Sequence, residues 1–315
     1  GQGAGLDAAS QMRLSPRQAE GAKVLAARIA LRLSPKMQLG LTYAESPDGL
    51  VAQLQGQDRP AFMIAPDSTS QDGMFRRTDM SLAVRRSLGV WGVTLTGESG
   101  AVLNGSPIQQ FEYNQLNSKY DGVRSFGLAL DRRFGALQTA LGFTWTNEDR
   151  TVLVARFHDA FGGGGADSLF VDSSASWQFA KGWRLSGSMR NGWTFPDKSS
   201  IITDGSRIYS RAWAVDVERQ GVFGARDAVG LRIAQPLRVE SGGLNLYLPV
   251  SYSYATQSAS FGVLPLNLAP QGREIMGELA WHGPLWSGNA SASLYLRRDP
   301  GNYAGLPMDE GVAMR

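Results

Sequence analysis

Leu244-Asn-Leu-Tyr-Leu-Pro-Val-Ser-Tyr-Ser-Tyr254 decides the fold class. Its even positions read Leu244, Leu246, Leu248, Val250, Tyr252, Tyr254, and the odd positions between them Asn245, Tyr247, Pro249, Ser251, Ser253. Successive side chains of an extended strand point to opposite faces, so one face here is greasy and ends in aromatics. A helix would need apolar residues at i, i+3, i+4 and i+7, a spacing this stretch does not follow.

The same period recurs along the chain. Leu137, Thr139, Leu141, Phe143 and Trp145 alternate with Gln138, Ala140, Gly142 and Thr144, and Val229, Leu231 and Ile233 with Ala228, Gly230 and Arg232. Further examples are Met37 to Tyr43, Met80 to Leu88, Trp91 to Leu95, Phe126 to Leu130, Leu169 to Phe179, Trp183 to Met189, Trp213 to Val217, Ile275 to Trp281 and Ala290 to Leu296. The runs reach about 9–13 residues, the length that crosses a bilayer at a tilt, whereas soluble strands average about five or six. The competing reading is a soluble sandwich that buries these faces against each other.

Composition narrows the choice. The chain has 315 residues, 43% hydrophobic and 19% charged, with 38 Gly, 8 Trp and no Cys. Charged residues or Pro interrupt every apolar run before the roughly 18–20 residues a spanning helix needs, so passage through a bilayer requires a closed β-barrel. Without Cys there are no disulfides, thiolate metal sites or Cys nucleophiles. The net charge is +3, with Lys and Arg scattered, which argues against nucleic acid as a partner. Gly1 opens no leader-like segment, so any signal peptide is expected to have been removed already or to lie upstream.

The expectation is therefore an all-β, transmembrane, antiparallel up-and-down β-barrel of 12–14 strands, 13 or 14 segments being counted where an even number is expected, in the outer membrane of a Gram-negative bacterium, contacting outer-membrane lipid and the barrel assembly machinery. Residues 23–315 form the barrel and residues 1–22 a linker or helical segment. Ser15-Pro16-Arg17-Gln18 matches a capping box with Pro at the first helical position. Two readings follow: a short helix around 16–22 and then a strand through Leu25, Ala27, Ile29, Leu31 and Leu33, or one helix to Leu33. Asp48 to Gln55 reads as a helical turn in the first long loop, and Ala61 to Ala65 as an apolar stretch packing over the barrel mouth.

Short turns are expected at Ser34-Pro35, Leu88-Gly89, Phe134-Gly135, Lys181-Gly182, Glu240 to Gly243 and His282 to Pro284. Longer connections are expected at 46–77, 99–119, 147–167, 195–207, 255–268 and 299–309. Barrels alternate short and long links, and this order fails once, where the links at 219–225 and 238–243 are both short.

By the alternation, lumen-facing charges are Arg28, Arg32, Arg85, Asp131, Arg184, Arg190, Asp216, Glu218, Arg232, Glu274, Glu278 and Arg297. They either line a conducting or threading lumen or pair across the wall. Asp216 and Glu218 share a face and could serve as an acid/base pair or a Ca²⁺ set, though facing arginines favour pairing. Asp67, Asp72 and Asp79 lack Ca²⁺-loop spacing, and Gly162 to Gly165 lacks the Lys-Ser/Thr of a phosphate loop. Strand-end aromatics Tyr43, Trp145, Trp177, Phe179, Trp183, Trp193, Trp213, Tyr252, Tyr254 and Trp281 would form the girdle at the headgroup level. No catalytic set and no cofactor or metal site is read.

Several stretches carry a family resemblance. Gly230-Leu-Arg-Ile-Ala-Gln-Pro-Leu-Arg-Val-Glu-Ser-Gly-Gly-Leu244, Asn267-Leu-Ala-Pro-Gln-Gly-Arg-Glu274 and Leu296-Arg-Arg-Asp-Pro-Gly-Asn302 look like the C-terminal translocator of subtilisin-like (S8 family) autotransporters of sphingomonad-type bacteria, as do Asp48 to Gln55 and Arg59 to Ala65. The resemblance spans about residues 20 to 315 and implies a 12-strand barrel with a luminal helix that exports and anchors an N-terminal passenger, the chain's own passenger segment being its partner. The peptidase would reside in that absent passenger, because no Gly-Thr-Ser motif is present and neither His158 nor His282 has the triad context. The chain departs from the pattern by ending Ala313-Met314-Arg315 instead of on an aromatic. The alternative function is an outer-membrane porin or small-molecule channel; a structural barrel bound to other envelope proteins is a third.

Overall fold

The computed structural model describes residues 27–43, 47–56, 62–68, 76–102, 122–153, 164–285 and 288–314. Fourteen strands form one antiparallel sheet. They are β1 (Ala27–Ser34), β2 (Met37–Tyr43), β3 (Arg76–Leu88), β4 (Trp91–Val102), β5 (Gly122–Phe134), β6 (Leu137–Glu148), β7 (Ala166–Ala180), β8 (Trp183–Pro196), β9 (Arg207–Gln220), β10 (Ala228–Ser253), β11 (Ser258–Asn267), β12 (Ile275–Leu285), β13 (Gly288–Arg298) and β14 (Asp309–Met314). One helix, α1 (Pro47–Gln55), lies between β2 and β3. Each strand pairs with its neighbours in chain order except at β11, and among the described residues no ladder joins β1 to β14.

Burial in this sheet is inverted relative to a soluble protein. Thr42, Thr94, Ser168, Thr194 and Ser210 are fully buried, while Leu31, Leu82, Phe126, Trp145, Trp193 and Leu279 are among the large apolar side chains left exposed. Two stacked sheets would bury those apolar faces, so the soluble-sandwich reading fails. The polar face instead turns inward, against α1 and the residues that follow it. An outer belt of Leu, Val and aromatics around a polar interior is the architecture of a transmembrane β-barrel wall. No helix among the described residues is long and apolar enough to cross a membrane, which says nothing of strands.

The link expected at Glu240 to Gly243 does not exist. β10 runs through it for 26 residues, with register irregularities at Gln235/Arg238 and Val239/Ser241 that absorb Pro236 and the glycines without a reversal. Its lower part pairs with β9 and β12. Its upper part, the Leu244–Tyr254 stretch, pairs with β11 and makes a two-stranded ribbon beyond the wall. With that turn removed, and with the β10–β11 ribbon counted as one long link between β10 and β12, short and long links alternate. The region 255–268, expected as loop, contains β11, and His282 to Pro284 is strand, because β12 continues to Leu285. Among the described residues thirteen strands follow one another along the wall and β11 stands off it, against the 12 that the autotransporter resemblance implies. The segment 1–22, the helix at 16–22, His158 and Asp72 lie outside the described residues.

Candidate functional site

The long link after β2 folds against the inner face instead of standing over the mouth. Helix α1 lies on β1 to β4, with Leu50 and Leu54 packed against Ala83 and Ala30. Gly40 makes room: a Cβ there would lie 2.4 Å from a Leu50 methyl. The helix is also tied across the interior, since Gln138 on β6 donates to the Gln55 carbonyl at 3.2 Å.

Phe62 to Ser68 continues along the opposite part of the inner face. The backbone N–H groups of Met63, Ile64 and Ala65 all donate to the carboxylate of Glu278 on β12, at 2.8, 2.9 and 2.6 Å. Glu278 is 1% exposed, and a buried carboxylate is tolerable when it accepts several such bonds. Phe62 lies over the Arg232 guanidinium, 4.2 Å from ring centroid to carbon, and over Gly230, whose missing side chain leaves its place. Arg232 donates to the Ala65 carbonyl at 3.3 Å, and Ser188 to Asp67 at 2.7 Å. This strap therefore touches β8, β10 and β12, while α1 touches β1 to β4, which fixes the sheet as one that curls around the loop.

Between loop and wall remains a cavity of about 230 Å³ lined by α1 and β4 to β10. Thr96, Ser125, Gln138, Thr144, Ser174 and Ser186 are among its polar lining, together with charged residues such as Glu98, Arg133 and Asp172. The nearby charges are matched. Arg85 forms a two-pronged pair with Asp131 at 2.7 Å, reaching over Gly92 of the intervening β4, where a Cβ would collide with the guanidinium. Arg184 pairs with Glu218 at 2.7 Å, Arg190 with Asp172 at 2.6 Å, and Arg232 with Asp216 at 2.8 Å. Near the rim, Arg297 joins Glu274 at 2.8 Å and Asp309 at 3.2 Å. Arg28 donates to the Gly49 carbonyl of α1 at 3.3 Å, and Arg32 sits opposite Gln38, exposed near the first short turn.

Of the twelve charges chosen by alternation, Arg85, Asp131, Arg184, Glu218, Arg190, Asp216, Arg232, Glu274 and Arg297 stand in ion pairs, Glu278 accepts from the strap, Arg28 donates to α1 and Arg32 is exposed. Asp216 and Glu218 each have an arginine and do not face each other as an acid/base pair; among the described residues no cluster of ligating side chains could hold a metal. Asp172 and Asp67 were missed. Asp172 had a signal, because it stands opposite Arg190 in the ladder; Asp67 had none, since its role depends on a loop turning inward.

The aromatics divide. Tyr43, Trp145 and Trp193 face outward near the long-loop end, and Trp177, Phe179 and Trp183 cluster near the short turn after β7. Trp213 and Trp281 are half-buried, donating from their indole N–H to Gln235 and Asp227, both at 3.2 Å. Tyr252 and Tyr254 sit at the ribbon tip, away from the wall, so they do not belong to a girdle.

No protein-family model and no curated protein matches this sequence. Two solved structures are similar. One is OmpT (in-vitro folded), an outer membrane protein of Vibrio cholerae, at 8% identity and a TM-score of 0.40, covering 77% of this chain and 61% of that one. The other is outer-membrane expressed OmpT of Vibrio cholerae, at 8% identity and a TM-score of 0.49, covering 86% and 69%. The chain thus spans less than two thirds of the first. Nothing in these comparisons supports the autotransporter resemblance.

Proposed function

We propose that the chain is an outer-membrane channel for small polar solutes, narrowed by its own first long loop. The observation that carries this reading is the strap held by three backbone N–H bonds to Glu278, beside a hydroxyl-lined cavity. Membrane placement rests on the outward belt of Leu, Phe and Trp, which would be costly in water and is stabilising in lipid. A lumen in which Arg85, Arg184, Arg190 and Arg232 are each ion-paired offers hydroxyl and amide groups to a solute. An autotransporter translocator would have to keep this space for its passenger, yet α1 and the strap are bonded into it.

Proteoliposomes test the proposal. Uptake of a small neutral sugar above that of empty liposomes, at a rate unchanged by deleting residues 1–22, is the expected result. Failure to admit any small solute, together with a gene that encodes a subtilisin-like passenger upstream, would favour the translocator instead.

A further inference from the structure

The outer belt has a polar notch. On β8 the outward positions run Met189, Asn191, Trp193; on β9 they run Tyr209, Arg211, Trp213, Val215; on β10 they run Ile233, Gln235 and then, past the irregular register, Arg238 and Glu240. Arg273, in the link before β12, reaches the same place, donating to Gln235 at 2.5 Å and to Glu240 at 2.9 and 2.7 Å. Arg238 is buried and fully engaged, with Glu240 at 2.8 Å and the carbonyls of Gly272 and Pro270 at 3.0 and 2.5 Å.

Arg211 differs. It is exposed, and donates to the Tyr209 hydroxyl at 2.7 Å and to Asn191 at 3.2 Å. No carboxylate lies within ion-pairing distance of it among the described residues. Arg238 and Arg273 both engage Glu240, and the Asp299 carboxylate lies beside the Arg273 backbone, which leaves Arg211 as the cation of the notch without a carboxylate on the lipid-facing side among the described residues. The cluster sits toward the long-loop end, where Trp193 packs on Tyr209 with centroids 5.7 Å apart. Gln235 links the two exposed cations: its amide donates to the Arg211 carbonyl at 3.2 Å while its oxygen accepts from Arg273.

We propose that this notch binds the phosphate headgroup of an outer-leaflet lipid, with Arg211 and Arg273 as the anion contacts and the adjoining aromatics against its acyl chains. The inference rests on the membrane reading above. A cation in an apolar belt is costly unless an anion meets it, and a lipid phosphate supplies the opposite charge at that depth. A second copy of the chain would supply the same arginines and repel.

The test reconstitutes the full chain in phosphatidylcholine vesicles containing lipid A, extracts it, and measures co-purified lipid A by mass spectrometry. Wild type should retain lipid A, and Arg211→Gln should lower retention about fivefold. Arg211→Lys should restore most of it, while Arg226→Gln, in the link between β9 and β10, should leave it unchanged. Equal retention by wild type and Arg211→Gln overturns the proposal. So does displacement by inorganic phosphate, which marks a free-ion site, or loss of an oligomer in Arg211→Gln without loss of lipid, which marks a contact between copies. Sugar uptake measured on the same vesicles keeps the readings apart: a chain that conducts without retaining lipid A sinks only the lipid site, and one that retains it without conducting sinks only the channel.

Discussion

The two ends of the inward-folded loop meet the wall through different chemistry. At α1 the contact is carbon on carbon: Leu50, fully buried, fills the place left by Gly40 and rests with Leu54 on Ala83. At the strap, beside the packing of Ala65 on Ala214, Ala234 and Met276, it is charge on dipole, three backbone N–H groups converging on Glu278. An apolar contact tolerates small shifts in position, since dispersion and area change gradually. Hydrogen bonds to a buried carboxylate do not, because losing the partner leaves unsatisfied groups on both sides. On the channel reading proposed above, the helix would set where the loop enters and the strap how wide a passage it leaves.

Breaking the polar end should have the largest effect. Glu278→Ala removes the acceptor of three N–H groups and should release the strap at a cost of about 4 kcal/mol. Single-channel conductance should rise and amide exchange at Met63 to Ala65 should speed up; unchanged conductance would refute the strap as the constriction. Leu50→Ala attacks the apolar end and should cost about 3 kcal/mol through an unfilled cavity. Denaturant unfolding in detergent would show it, with conductance nearer to wild type than in the first variant. Gly40→Ala overfills the same contact and should cost about 2 kcal/mol, and Leu50→Val in that background should recover part of the loss. Ser188→Ala deletes one bond to Asp67 and should cost about 1 kcal/mol, seen as a small increase in conductance noise.

The smallest effect lies outside the loop, at Asp227. Hydration lost on folding raises its carboxyl pKa, but N–H donors from Phe223, Gly224 and Val222 and the Trp281 indole outweigh this and hold it below the usual carboxylate range. A lowered folded value means stability that is complete above the unfolded pKa and is lost as pH falls through the folded one. Asp227→Asn should therefore flatten the acid limb of a pH–stability profile below about pH 4 while leaving conductance unaltered. A changed conductance would show that this turn is coupled to the lumen.

Much of the wall was legible because side-chain direction in a strand follows from parity alone. Leu137 to Trp145 and Val229 to Ile233 needed only the alternation of their faces. Glu240-Ser-Gly-Gly243 misled because Gly and Ser also mark bulges; two register irregularities let β10 pass where a turn was read. The most regular alternation, Leu244 to Tyr254, proved to lie beyond the wall, since a ribbon and a barrel strand share the same period. The helix at Asp48 to Gln55 could be read, but not its position. Docking depends on Gly40 and Gly230 offering vacant space from strands remote in sequence, and that complementarity has no local signature.

The ion pairs of the inner face also bear on how the barrel assembles. Arg184 stands opposite Glu218, Arg190 opposite Asp172, and Arg232 opposite Asp216 in the ladders. A slip of one residue during insertion would swing each of these arginines into hydrocarbon, at about 3 kcal/mol apiece near the midplane. The charges that fill the wet interior thus also penalise a misaligned register.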